Sequence, residues 1–156
     1  MNTIAKPERD LVLMRTIDAP SALVFKAWTD PEQLAQWWGP RGWTNPVCEV
    51  DLRPGGVMEI LMRGPDGAEH RMKAVIQEVV EPERIVFVTG VFEDEKGIAG
   101  LEVHNTVTFA DHKDKTNLTM RARVINATPQ VAGALAGMKE GWTETLDKLA
   151  DHVAKL

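Results

Sequence analysis

Residues 128–156 read TPQVAGALAGMKEGWTETLDKLADHVAKL, and this stretch decides the architecture. Thr128-Pro129 offers a capping residue followed by proline at the first helical position, and no later proline interrupts the run. The pattern predicts one long helix, the longest of the chain, reaching the C-terminus. Along it Val131, Leu135, Met138, Trp142, Leu146, Leu149 and Val153 recur every three or four residues and form a single apolar stripe, which must lie on another element. The first half of that stripe is thin. Ala132, Gly133, Ala134, Ala136, Gly137 and Gly141 leave little volume beside Leu135 and Met138. Glycine costs helix stability, so its use there points to close approach or to empty space.

The element under the stripe lies immediately upstream. Between Trp43 and Arg123 the pattern is strand, turn, strand, broken at Arg53-Pro54-Gly55-Gly56, Gly64-Pro65-Asp66-Gly67, Glu81-Pro82-Glu83, Lys96-Gly97 and Asp111-His112-Lys113-Asp114. Tight breaks without an intervening helix predict an antiparallel meander. Alternation is clearest in VMEILMR, where Met58, Ile60 and Met62 share one face and Glu59 and Arg63 the other, so the sheet has one wet face. Further upstream, DLVLMRTI at 10–17 reads as a strand. Asp18-Ala19-Pro20 ends it and opens a short helix over about 20–29. Asp30-Pro31-Glu32-Gln33 caps a second short helix, which Gly39-Pro40 ends.

Composition narrows the setting. The chain has 156 residues, 44% hydrophobic and 26% charged, which suits one folded domain, 1–156, with a core of its own. A single cysteine, Cys48, rules out an internal disulfide and favours a reducing compartment. Residues 1–10 carry four charges and no apolar core, so no signal peptide is expected, and no membrane span is long enough elsewhere. A cytoplasmic location follows as the expectation. The net charge of -5, with basic residues scattered among acidic ones, argues against nucleic acid as a partner.

The order strand, two short helices, meander, long helix resembles the helix-grip fold of the START and birch-pollen-allergen (SRPBCC) superfamily. Ala19-Pro20, then Val24-Phe25-Lys26-Ala27-Trp28-Thr29-Asp30-Pro31, Leu34 and Trp37-Trp38-Gly39-Pro40 resemble the branch named after the activator of the heat-shock-protein-90 ATPase. So do Arg53-Pro54-Gly55-Gly56, Gly64-Pro65-Asp66-Gly67, Pro82-Glu83-Arg84-Ile85-Val86-Phe87 and Gly141-Trp142 with Leu146 and Leu149. The resemblance implies an α+β domain: a curved antiparallel sheet of about six or seven strands wrapped around the C-terminal helix, two short helices after the first strand, and an apolar cavity between. Members of the superfamily include lipid binders, polyketide cyclases and stress-related proteins, so the fold alone does not fix the function. The eukaryotic chaperone cofactor has an additional N-terminal domain that this chain is expected to lack.

The expected cavity wall follows from these faces. Met58, Met62, Met72, Met120 and Met138 fall on faces read as inward, and thioethers both line adaptable sites and plug irregular cores. Ile60, Phe87, Leu135 and Trp142 join them, Trp142 being equally suited to the core. Trp38 and Trp43 flank the Gly39-Pro40-Arg41-Gly42 loop, where they would close a mouth, whereas Trp37 reads as packing. Asn105 shares a face with Val103, Val107 and Phe109. It would either orient a ligand polar group or satisfy backbone at a bulge, and a one-residue slip would put His104 inside instead.

Catalytic signatures are weak, and no catalytic residue, metal ligand or cofactor is assigned. His70, His104, His112 and His152 lack zinc-site spacing, and the glycine pairs join strands to strands rather than a strand to a helix. Cys48 would need a base such as His70 beside it. Glu78, Glu93 and Glu102 would need burial to act as a general base, and alternation turns them to water. The primary expectation is a module binding a small hydrophobic molecule. A cyclase- or hydrolase-like enzyme on an aromatic or polyketide-like substrate is the alternative, and a surface acting on a chaperone partner, or pairing as a homodimer, is another.

Overall fold

A computed structural model describes residues 10–156 except 94 and 97, and leaves aside the side chains at 92 and 93. The N-terminal reading over residues 1–9 and the Glu93 side chain therefore lie outside the described residues. Seven strands, β1 (Asp10–Ile17), β2 (Thr44–Val50), β3 (Val57–Arg63), β4 (Glu69–Val80), β5 (Arg84–Glu93), β6 (Ala99–His112) and β7 (Lys115–Ala127), form one sheet in the order β1-β7-β6-β5-β4-β3-β2. Every neighbouring pair is antiparallel. Six strands follow one another as the expected meander, and β1 closes on β7. The helices α1 (Ser21–Thr29) and α2 (Pro31–Trp37) carry the chain from β1 to β2 at the opposite edge.

Register shifts insert one extra residue in β4 between Ile76 and Glu78 and one in β7 opposite Glu102/Val103, and such bulges bend strands and raise twist, so the long strands curl. Inward faces are apolar apart from Asn105 and Thr116: Met58 and Ile60; Met72, Ala74 and Ile76; Ile85 and Phe87; Val103, Val107 and Phe109; Leu118, Met120, Ala122 and Val124 are all buried. The turn before β3 needs Gly56, where a Cβ would stand 2.0 Å from the Asp51 carbonyl oxygen.

Helix starts follow the local chemistry, with variations. Pro20 is the capping residue of α1 rather than its first residue, and the Asp111 carboxylate of β6 accepts from the Ser21 N–H (2.9 Å) and hydroxyl (2.8 Å). These two donors hold the Asp111 carboxyl below its ordinary pKa. Asp30 caps α2 through Glu32 N–H, and Gln33 donates to Asp30 Oδ2 at 3.4 Å instead of reaching the Asp30 backbone.

The long C-terminal helix is not continuous. A 3-10 turn (Pro129–Val131) leads to a five-residue helix, α3 (Ala132–Ala136). A joint at Gly137 (φ −90°, ψ 2°) then precedes α4 (Met138–Ala154). The alanine and glycine stretch has few side chains to hold it against the sheet, and glycine at the joint bears the largest backbone entropy cost of helix. The stripe itself is present but graded: Leu146, Leu149 and Val153 are sealed, whereas Leu135, Met138 and Trp142 are only half-buried.

Candidate functional site

The graded burial marks an apolar cleft of about 240 Å³ between α4 and one end of the sheet. Its floor is Met62 of β3, Met72 of β4, Thr89 and Val91 of β5, and Leu101, Val103 and Asn105 of β6. These positions are neighbours because the register sets Gly90 beside both Lys73 and Glu102. Its roof is Met138, Gly141, Trp142 and Thr145, with the exposed Ala134 and Gly137 at the rim. The thin half of the helix is thus the half over empty space, and close approach does not require Gly141, where a Cβ would make an ordinary contact with Pro40 Cγ at 3.7 Å.

Trp38, Gly39 and Pro40, from the loop after α2, form the remaining side. Gly39 has φ +91°, a conformation that turns the chain sharply away from α2 at little steric cost only for glycine. Asn45 Nδ2 donates to the carbonyls of Ala35 (3.0 Å) and Trp38 (2.9 Å), fixing the helix end. Lys148 of α4 donates to the Gly39 and Pro40 carbonyls at 3.1 and 3.3 Å, and Arg41 N–H donates to Glu144. The loop is therefore stitched to the roof. Burial, then the Arg41 charge, pushes the Lys148 pKa down.

Behind the cleft stands an aromatic cluster centred on Trp28. Trp37 meets it edge-on at 4.8 Å, Trp142 stacks on it, and Trp38, Phe87 and Phe109 complete its surroundings. Trp37 Nε1 donates to Ala27 O, consistent with packing, while Trp28 Nε1 is buried without a partner among the described residues.

The expected wall divides. Trp38, Met72, Asn105, Met138 and Trp142 line the cleft, as does Met62. Met58, Ile60, Phe87 and Met120 do not: the cleft occupies one end of the sheet, and these residues lie further along the strands or on β7, sealed in the core. Leu135 lies on α3, across the Gly137 joint, half-buried against the core. Trp43 is displaced from the mouth. It lies against His70 of β4 (centroids 5.7 Å apart) and beside Gly64, where it covers the turn between β3 and β4. Thr89, Val91, Leu101 and Thr145 are cleft residues that the sequence reading did not assign. Extending the alternation from Phe87 to Thr89 and Val91, and from Val103 back to Leu101, would have found the first three.

Register settles the polar position. Asn105 is buried and paired with Phe87 and Ala122, and His104 faces outward, half-exposed. Asn105 Nδ2 donates to Phe87 O (3.2 Å), Val103 O (3.0 Å) and Thr89 Oγ1 (3.3 Å). Cys48 and His70 are separated by β3 and a two-residue step along the sheet, roughly 10 Å by strand spacing, so they form no pair. Burial, then the Asp30 and Glu49 charges, raises the Cys48 thiol to about 11. Glu78 is exposed and bound to Arg84 at 2.7 Å. None of the described side chains lining the cleft is Asp, Glu, His, Lys, Arg or Cys.

Comparison with known proteins agrees with this geometry. The family model described as "Activator of Hsp90 ATPase homolog 1-like protein" matches residues 18–154. No curated protein matches significantly. Among solved structures, a protein from Arthrobacter aurescens is 24% identical with a TM-score of 0.83, over 99% of this chain and 94% of that one. One from Nitrosomonas europaea is 24% identical with a TM-score of 0.79, over 96% and 97% of the two chains. The AHSA1 protein of Silicibacter pomeroyi is 26% identical with a TM-score of 0.76, over 93% and 97%.

Proposed function

This chain belongs to the family of activator of Hsp90 ATPase homolog 1-like proteins, and from that premise we propose that it binds a small, neutral, apolar molecule in the cleft under α4. Its fold is the one on which SRPBCC-type proteins build ligand cavities in general. The observation that carries the proposal is the wall itself: two faces of methionine, aliphatic and tryptophan side chains, one amide, two threonine hydroxyls, and no ionisable group among the described lining residues. Such a surface gains free energy by shedding water onto an apolar guest and has few groups to hold that water.

Volume restricts the guest. A cavity of about 150 Å³ suffices for benzene, so 240 Å³ suits roughly ten non-hydrogen atoms. A long-chain lipid would have to protrude past Ala134 and Gly137. Acid–base catalysis on the guest receives no support from this wall, because a general acid or base must stand within hydrogen-bond reach of the reacting atom.

The test is thermal unfolding with a panel of neutral apolar compounds of about 8 to 14 non-hydrogen atoms. A ligand at a hundred times its Kd adds about 2.7 kcal/mol, which for a domain this long is roughly 5–10 °C in Tm. No shift at any soluble concentration across the panel would overturn the proposal.

A further inference from the structure

We infer that the ligand carries a single neutral hydrogen-bond donor, a hydroxyl or N–H group, and that Asn105 Oδ1 receives it. The inference rests on the binding reading above and adds the chemistry of one end of the guest.

The amide is oriented by its surroundings rather than free to flip. Its nitrogen faces two backbone carbonyls, Phe87 O and Val103 O, which only accept, so the NH₂ end must be the one turned to them. Thr89 Oγ1 also accepts from that nitrogen and in turn donates to Val103 O at 3.4 Å, so the threonine hydrogen is engaged as well. The carbonyl end of the amide points away from these partners. Among the described residues no group donates to Asn105 Oδ1, yet it is not one of the sealed, partnerless atoms, which are Trp28 Nε1 and Asn45 Oδ1. Asn105 is 1% exposed and lines the cleft, so the access that its oxygen has is from the cleft.

One acceptor in an apolar wall discriminates by leaving itself unpaired when the guest cannot donate. Thr145, a polar side chain of the roof, gives its hydroxyl hydrogen to Gly141 O at 2.7 Å within the helix, so it has no hydrogen to offer an acceptor on the guest. An anionic guest is disfavoured: no described lining residue is cationic, and a carboxylate would meet a carbonyl dipole after losing its water.

Four probes of nearly equal shape test this on the intact chain: 4-propylphenol, 4-propylanisole, propylbenzene and 4-propylbenzoate, each titrated calorimetrically. The phenol is expected to bind about tenfold more tightly than the anisole, in line with one hydrogen bond, and the benzoate most weakly. In Asn105→Leu the preference of phenol over anisole should vanish, while His104→Gln, on the outward face of the same strand, should keep it. The wild-type series stands by itself should Asn105→Leu fail to fold. Equal binding of phenol and anisole, or loss of the preference in His104→Gln, would overturn the Asn105 assignment and leave apolar binding intact, and tightest binding by the benzoate would overturn the neutral guest as well. Binding of none of the four would remove both.

Discussion

Trp142 of α4 lies nearly flat against Trp28 of α1, with ring centroids 6.2 Å apart and planes 12° from parallel. Trp142 also meets Trp38 edge-on at 5.2 Å and lines the cleft, so the wall of the candidate site and the aromatic core share a residue.

Trp142→Ala should therefore change stability and capacity together. A loss of roughly 2–4 kcal/mol is expected, below that of a sealed tryptophan because Trp142 is half-buried. The enlarged cleft should accept guests too bulky for the wild type. Urea unfolding and the same thermal panel measure the two effects; a loss below about 0.5 kcal/mol would mean that the stack contributes little.

Gly141→Ala should stabilise. Its Cβ would meet Pro40 Cγ at 3.7 Å, an ordinary contact, and alanine in the interior of α4 removes the glycine entropy cost. The expected gain is about 0.5–1 kcal/mol. A decrease in Tm would show that the loop cannot tolerate even a methyl group beneath it.

Cys48 gives an alkaline signature. Its pKa is raised from 9.0 to about 11 in the fold, so its contribution is complete below pH 9 and fades as the pH rises toward 11, where the unfolded thiol is already ionised. Cys48→Ala should flatten that part of the stability profile. Alkylation of the native thiol at pH 8 should be about a hundredfold slower than that of an unstructured peptide, reflecting its smaller thiolate fraction. Peptide-like reactivity would contradict the burial.

His152 acts in the opposite range. Burial, then Lys155, lowers its pKa below 6.5, and the ring lies 3.1 Å from Gln33 Oε1. Because the unfolded state binds the proton more readily, this contribution is present above pH 6.5 and is lost as the pH falls through the lowered value. Denaturant midpoints from pH 7.5 to 5 should fall less steeply in His152→Gln than in the wild type. Parallel slopes would assign the acid sensitivity elsewhere.

The turn chemistry made most of the fold legible. Pro20, Asp30-Pro31 and the Pro-Gly and Asp-Gly turns fixed where elements begin, and period-two alternation identified the inward faces. The joint at Gly137 was not legible, because the three- and four-residue spacing from Val131 to Trp142 continues across it unchanged. Nor was the extent of the cleft. How far the sheet leaves the helix depends on bulges at Ile76/Glu78 and Glu102/Val103, where no glycine or proline announces them. Alternation says that Met58 and Met62 point the same way, but only the curvature decides that Met62 meets the cleft and Met58 the core. Trp43 shows a further limit, since a loop aromatic has no periodicity to orient it.

The pairing of β1 with β7 has a consequence for biosynthesis. Leu13 finds its backbone partner in Met120, so β1 leaves the ribosome more than a hundred residues before the strand it pairs with, while β2 to β7 can zip up hairpin by hairpin. In the interval Leu11, Leu13 and Ile17 have no sheet to join, and the nascent chain presents an orphan apolar strand until β7 emerges. Among the described strands, the β1–β7 seam thus joins the earliest made to the latest made.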